Sequence, residues 1–269
     1  GDFDTRDVAI VDTDHDGDLD IVLANADGPD AILNNDRNGR FTDVAGITGI
    51  GGGAGSRRIL AADLDGTRDL DLLVIRDTPP HLVHLNDRLW NYRHQEVEFD
   101  RIRNADLVLA TSGDLDGDGI MDLVTADRSG DIHRWVRDRF GVFEPRLLHS
   151  FDSPPDNLAI MDVDGDGRLE IVTDSALGMS SPVSWTPMLA DPERGYGVIA
   201  LTRTGVPQMI APGPGRFAFT AIELAGAEDT TQAMRSNADG IGAILAARLD
   251  DRWTIKSNLR PDSGPGQSR

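Results

Sequence analysis

Four stretches of this 269-residue chain set acidic residues at alternate positions around glycine, a pattern that gathers oxygen ligands about a hard cation. They are Asp12-Thr-Asp14-His-Asp16-Gly17-Asp18-Leu-Asp20, Asp63-Leu-Asp65-Gly-Thr67-Arg68-Asp69-Leu-Asp71, Asp114-Leu-Asp116-Gly-Asp118-Gly119-Ile120-Met-Asp122 and Asp162-Val-Asp164-Gly-Asp166-Gly167-Arg168-Leu-Glu170. Counting from the first aspartate, positions one, three, five and nine offer side-chain oxygens. Position seven, which is Asp18, Asp69, Ile120 or Arg168, offers a backbone carbonyl, and glycine at position six allows the left-handed turn that wraps the chain round the ion. Each like-charged pair about 4 Å apart costs roughly 4 kcal/mol at an effective dielectric near 20, and a divalent ion reverses that sign. A ligand set made of oxygen alone selects calcium over zinc or copper. In the second stretch Thr67 replaces the third aspartate and Arg68 takes the glycine position at a cost of about 1 kcal/mol. The expectation is three strong calcium sites and a weaker fourth at residues 63–71.

An EF-hand needs a bidentate Glu at position twelve and helices on both sides. Position twelve here is Leu23, Val74, Thr125 or Thr173, and the flanks are short apolar runs. A plain Asp-Gly hairpin turn would need one such pair, not acids at four set positions. The flanking runs read as strands: Val8 to Val11, Ile59 to Ala62, Leu107 to Ala110 and Leu158 to Met161 before the loops, then Leu19 to Ala24, Leu70 to Ile75, Met121 to Ala126 and Leu169 to Val172 after them. Each acidic stretch is thus the tip of an antiparallel hairpin.

The loops start at 12, 63, 114 and 162, a period of about 50 residues that marks a repeated unit. Third and fourth strands follow in the first unit, Ala31 to Asn35 and Arg40 to Val44, around Asn38-Gly39, which reads as a type I′ turn. The third unit repeats this with Asp131 to Trp135 and Gly141 to Pro145. Four strands per unit predicts an all-β fold, a β-propeller of four-stranded blades with calcium-binding hairpin loops, with a solenoid as the other repeat architecture. Beyond Glu170, Gly195 to Leu201, Pro207 to Ala211 and Phe217 to Leu224 read as strands of a metal-free blade, joined in part by Ala211-Pro-Gly-Pro-Gly215.

These loops, with Gly39-Arg-Phe41-Thr-Asp-Val44, resemble the FG-GAP/VCBS repeat family of calcium-loop propellers over about residues 1 to 190. The tail, with Met234-Arg-Ser-Asn237-Ala-Asp-Gly240-Ile-Gly242-Ala243, Arg252-Trp253-Thr and Leu259-Arg-Pro-Asp-Ser263-Gly264, resembles the ASPIC/UnbV segment of bacterial relatives of cartilage acidic protein. The resemblance implies propeller blades over 1–215 and, over 216–269, the start of an ASPIC/UnbV-like segment cut short at Arg269, so that the propeller is expected to be incomplete. It also implies a secreted, calcium-binding interaction module without catalysis.

Composition narrows the partners. With 26 basic against 46 acidic residues the net charge is −20, which excludes a phosphate-binding basic stripe and hence nucleic acid. No apolar run is long enough for a transmembrane segment, and there is no cysteine. The first residue is Gly1, which fits a processed leader or a truncated chain. Sites of modest affinity suit the millimolar calcium outside cells, so an extracellular or periplasmic location is expected, within a larger assembly there.

Catalytic groups are harder to find. His15 lies between ligand positions and should point outward, while His81 and His84 have a spacing that does not bring both rings to one ion. No G-x-S-x-G elbow, phosphate-cradling loop or H-E-x-x-H occurs. Trp90, Trp135, Trp185 and Trp253 are expected to fill blade interfaces. The resulting expectation is a non-catalytic scaffold, adhesion or protein-interaction module, with a glycan-binding propeller or a polysaccharide lyase or hydrolase as the alternatives.

Overall fold

The computed structural model describes residues 3–36, 38–87, 91–94, 96–162, 168–174, 182–191, 195–202, 204–210, 244–249 and 252–257. Four strands, β1 (Thr5–Val11), β2 (Asp20–Asn25), β3 (Ala31–Asn35) and β4 (Phe41–Asp43), form one antiparallel meander. A one-turn helix, α1 (Ala45–Thr48), leads to a second four-stranded sheet: β5 (Ser56–Ala62), β6 (Asp71–Arg76), β7 (Leu82–Asn86) and β8 (Tyr92–His94). Helix α2 (Asp100–Asn104) then connects to β9 (Leu107–Gly113), β10 (Asp122–Asp127), β11 (Asp131–Arg137) and β12 (Phe143–Ser150). The fourth unit contributes the pair β13 (Leu158–Met161) and β14 (Glu170–Thr173). A three-stranded sheet follows, β15 (Pro182–Asp191), β16 (Gly195–Thr202) and β17 (Pro207–Ile210), and a hairpin of β18 (Ile244–Leu249) and β19 (Arg252–Ser257) comes last.

The expected all-β class and its small four-stranded antiparallel sheets are the observed architecture, as propeller blades require. Among the described residues no sheet closes into a barrel. The stacking follows from side-chain alternation. Leu72, Leu73, Val74 and Ile75 of β6 are all buried, because the strand has a neighbour on each face. Leu72 and Val74 join Ala9, Val22, Ile32 and Ile59 on one side. Leu73 and Ile75 join Phe99, Leu107, Leu123 and Trp135 on the other. Val124 and Ile132 of the third sheet meet Leu158 and Ile160 of β13, whose alternate residues Ala159 and Met161 pack with Trp185 and Val198. At about 1.5–3 kcal/mol for each large aliphatic side chain taken out of water, these interfaces hold the stack together.

The first strands of successive sheets touch one another: β1 meets β5, β5 meets β9 and β9 meets β13. Strands and loops keep one register throughout. Val11 pairs with Asp20, Ala62 with Asp71, Gly113 with Asp122 and Met161 with Glu170, so every acidic loop spans equivalent ends of its hairpin.

Three expectations need adjusting. The strands before the first three loops run longer than their apolar cores, and β15 was not anticipated. The β3–β4 turn is not type I′, which requires two left-handed residues. Of its described residues only Gly39 has positive φ (78°), and the Asp36 carboxylate accepts from the Asn38 and Arg40 N–H groups at 2.9 and 3.1 Å. Asp138 repeats that arrangement with Phe140 and Val142 before Gly141. The stretches 211–215 and 217–224 lie outside the described residues.

The stack leaves little room where β9 meets β13. A Cβ at Gly113 would lie 2.7 Å from Ile160 Cγ2 and 3.1 Å from its Cβ, close to the backbone of the next unit. Gly113→Val is expected to destabilise the chain by about 1–3 kcal/mol, the cost of overpacking, read as a lower denaturation midpoint with unchanged slope.

Candidate metal centres

The site begins with the backbone of each loop. Position six is left-handed in all three fully described loops, at Gly17 (φ 88°), Arg68 (71°) and Gly119 (91°). Position four is left-handed as well, at His15 (62°), Gly66 (83°) and Gly117 (74°). The N–H of position six then donates to the far carboxylate oxygen of position one, at 3.0 Å from Gly17 to Asp12, 3.0 Å from Arg68 to Asp63 and 3.2 Å from Gly119 to Asp114. Further N–H groups converge on the same aspartates: Asp16 on Asp12, Gly66 on Asp63, and Gly117 and Asp118 on Asp114.

Position nine is pinned from two directions. Asp20 accepts the Thr13 N–H at 2.9 Å on one oxygen and the Asn35 N–H at 3.0 Å on the other. Asp71 accepts Leu64 N–H at 2.7 Å and Asn86 N–H at 2.8 Å. Asp122 accepts Leu115 N–H at 3.0 Å, and its second oxygen takes the Arg134 Nε–H at 2.8 Å. The position-two N–H therefore orients the closing carboxylate in each of the three fully described loops.

The outcome is three equivalent triads. Ligand atoms of Asp12, Asp14 and Asp20 lie within 4.8 Å of one another, as do those of Asp63, Asp65 and Asp71 and those of Asp114, Asp116 and Asp122. Positions one, three and nine converge as the spacing predicts, and the second loop forms its triad in spite of Thr67 and Arg68. Position five stands outside the triads: Asp16 and Asp118 cap the Asp18 and Ile120 N–H groups at 3.0 and 2.8 Å, and Thr67 donates its hydroxyl to Asp65 at 2.7 Å. Of the position-seven residues, Asp69 is buried with its carboxylate 3.5 Å from His15 Nε2, and Ile120 is exposed. In the fourth loop Asp162 and Glu170 stand at facing ends of β13 and β14 and Arg168 precedes β14, while Asp164 and Asp166 lie outside the described residues.

Electrostatics matches a site built for a cation. Burial, reinforced by neighbouring carboxylates, pushes Asp12 and Asp14 up to about 6 and Asp71 up to about 8. Burial also carries Asp122 to about 6 against the pull of Arg134, and raises Asp20, Asp63 and Asp114. Three carboxylates with no nitrogen or sulfur donor fit calcium or another hard divalent ion.

Sequence reading missed several partners. His84, nearly buried, meets His94 across β7–β8 at 2.7 Å between Nδ1 atoms, and His94 Nε2 reaches Thr48 O at 3.1 Å. His81 accepts Arg76 N–H at 3.0 Å and meets Ala105 O at 2.9 Å, so it and His84 do serve different neighbours. Burial lowers both, to about 4 for His81 and about 3 for His84. Asp127, Asp131 and His133 form a fourth cluster, in which one Asp127 oxygen caps Ser129 and Asp131 N–H at the β10–β11 turn. Trp135 and Trp185 are buried, as expected of interface residues, and Trp135 donates to Thr125 Oγ1 at 2.9 Å. The side chains of Trp90 and Trp253 lie outside the described set.

The loops also join the blades. Thr13 O accepts from Asn86 Nδ2 at 3.1 Å and from Tyr92 OH at 3.3 Å, both on the second sheet. Leu64 O likewise accepts from Arg137 Nη2 on the third sheet at 3.2 Å. A buried chain of hydrogen bonds thus runs from Asp20 through the Thr13 backbone and Asn86 to Asp71, linking the first two triads.

Residues 12–74 and 114–173 match the FG-GAP-like repeat family. Each span opens on the first aspartate of one loop and closes on position twelve of the next, so the matched repeat is the loop-to-loop unit described above. No curated protein matches the chain.

Two outcomes follow from this geometry. Asn86→Ala removes buried bonds to Thr13 O and Leu70 O and is expected to cost about 1–3 kcal/mol in chelator, measured by denaturant unfolding. The raised carboxylates lie above their ordinary value of 3.8, so in ion-free protein their cost is fully present above the raised pKa and is relieved as pH falls through it. Ion-free stability should therefore rise from about pH 8 to about pH 5.5, while affinity for calcium falls about tenfold or more, because binding must displace protons. Parallel melting and calorimetric titrations check both slopes.

Proposed function

We propose that this chain is a non-catalytic, extracellular calcium-binding β-propeller that acts as a scaffold, adhesion or protein-interaction module. The observation that carries the reading is the threefold recurrence of one carboxylate triad at one register of successive blades. FG-GAP-like repeats build propeller-like modules often used for adhesion or protein interaction, and they are typical of extracellular proteins. Among the described residues no helix is long and apolar enough to cross a membrane. The tail resemblance to the ASPIC/UnbV segment extends the proposal to a secreted relative of that group.

Asp12, Asp14 and Asp20, with their counterparts in the second and third loops, would hold calcium. Bound there, the ion supplies the positive charge that lets three carboxylates share one hairpin tip. The chain itself does the positioning: the left-handed pair at positions four and six curls the loop, and the position-two N–H aims the closing carboxylate. Among the described residues Trp135 and Trp185 are buried and present no sugar-stacking face, which favours a protein partner over a glycan.

Binding to the folded blade alone stabilises it by RT ln(1 + [Ca]/Kd), about 2.7 kcal/mol per site at a hundredfold excess over Kd. Asp14→Ala should therefore lose roughly that amount in saturating calcium and far less in chelator, where it relieves repulsion within its triad. Equal losses in the two conditions, or a melting temperature of the unmutated chain indifferent to calcium, would overturn the reading.

A further inference from the structure

The three triads differ in what stands beside them. In the third loop the Arg134 guanidinium spans ligand positions three and nine, with Nη2 on Asp116 Oδ2 and Nε on Asp122 Oδ1 at 2.8 Å. The strand register imposes this: Arg134 of β11 pairs with Val124 of β10, so it shares a face with Asp122 two residues away and its long side chain extends toward the loop. At the corresponding place in the first loop, position three is met by a neutral amide, with Asn34 Nδ2 3.3 Å from Asp14 Oδ2. The second loop is intermediate. Arg93 Nη2 reaches Asp65 Oδ2 at 2.7 Å, but the same guanidinium is shared with Asp87.

Resting on the calcium reading of these loops, we propose that Arg134 is the resident counter-cation of the third loop and sets its calcium affinity by competing with the ion for Asp116 and Asp122. Each carboxylate receives a charge-assisted hydrogen bond from the one guanidinium, stronger than a neutral one, and an ion entering the triad must share or displace it. Displacement is open to it: Asp116 is 44% exposed and the arginine side chain 23% exposed, so the guanidinium can swing into water while the entering ion takes over the buried Asp122 carboxylate. Asp114 stays committed to the N–H groups of Gly117, Asp118 and Gly119, which hold the loop in shape while Arg134 moves. The loops thus form a graded series. The first needs an external cation to offset its triad, whereas the third carries an internal one and fills at higher calcium.

The test is calcium titration of the full 269-residue chain by isothermal calorimetry, for the unmutated protein and Arg134→Gln, together with melting in chelator and in saturating calcium. Arg134→Gln is expected to tighten one site about tenfold and to lower the melting temperature in chelator more than in calcium. Adding Asp116→Asn to Arg134→Gln should abolish the tightened site, which identifies it as the third loop. Unchanged or weakened calcium binding in Arg134→Gln, or an equal loss of melting temperature in both conditions, overturns the proposal. If Arg134→Gln folds poorly, Arg134→Lys provides the check: a point charge without the fork should give an affinity between the two, and one equal to that of the unmutated chain overturns the competition. Calcium binding by the unmutated chain with no response to these changes would sink this inference alone, whereas no binding by any of these chains would sink the calcium reading itself.

Discussion

Three carboxylates held within a few ångströms at the end of a buried hairpin are mutually repulsive, and the surrounding structure is arranged around that repulsion. The position-one aspartate draws in the N–H groups of its own loop. The position-nine aspartate sits where the first and second strands meet and borrows an N–H from the second residue of the loop. Each bond offsets part of the cost of burying a charge. None removes the net negative field, which adds to the burial that raises Asp12, Asp14 and Asp71 above the usual carboxylate range.

This constraint reaches beyond the tips because the loops also form blade contacts. The residue at position two is read twice: its N–H by the closing carboxylate of its own loop, and its carbonyl by a donor from the next sheet. The residue types of that donor vary, with Asn86 and Tyr92 in one case and Arg137 in the other, while the acceptor stays the same. Order in a tip and seating of its neighbour are therefore two aspects of one network, layered on the apolar interfaces that supply most of the cohesion.

Much of this could be read from residue order. Alternating acids with Gly17 and Gly119 at position six mark the loops, and short runs such as Leu70 to Ile75 on either side mark strands, since both signals are local. The matched pairing of Val11 with Asp20 and Ala62 with Asp71 follows from the equal loop lengths. What escaped was set by register between distant segments. Arg134 meets Asp122 only because β10 and β11 align as they do, and His84 finds His94 through the β7–β8 pairing. The Asn38-Gly39 pair misled for a different reason. Asp36, two residues earlier, bonds forward to the backbone and turns the chain with a single left-handed residue, and nothing in the dipeptide announces that. The left-handed state of His15 was equally hidden, although Gly66 and Gly117 at the same position hinted at it.

The completely buried inner strands carry one more consequence. Leu72-Leu-Val-Ile75 and Leu123-Val-Thr-Ala126 are short, β-prone and uncharged, the kind of segment that pairs promiscuously between chains before a fold is complete. Each is bracketed by ionisable residues, Asp71 and Arg76 in one and Asp122 and Asp127 in the other. The acid that closes each acidic loop is thus also a gatekeeper for the newly made chain, discouraging intermolecular association until the neighbouring blade arrives to cover the strand.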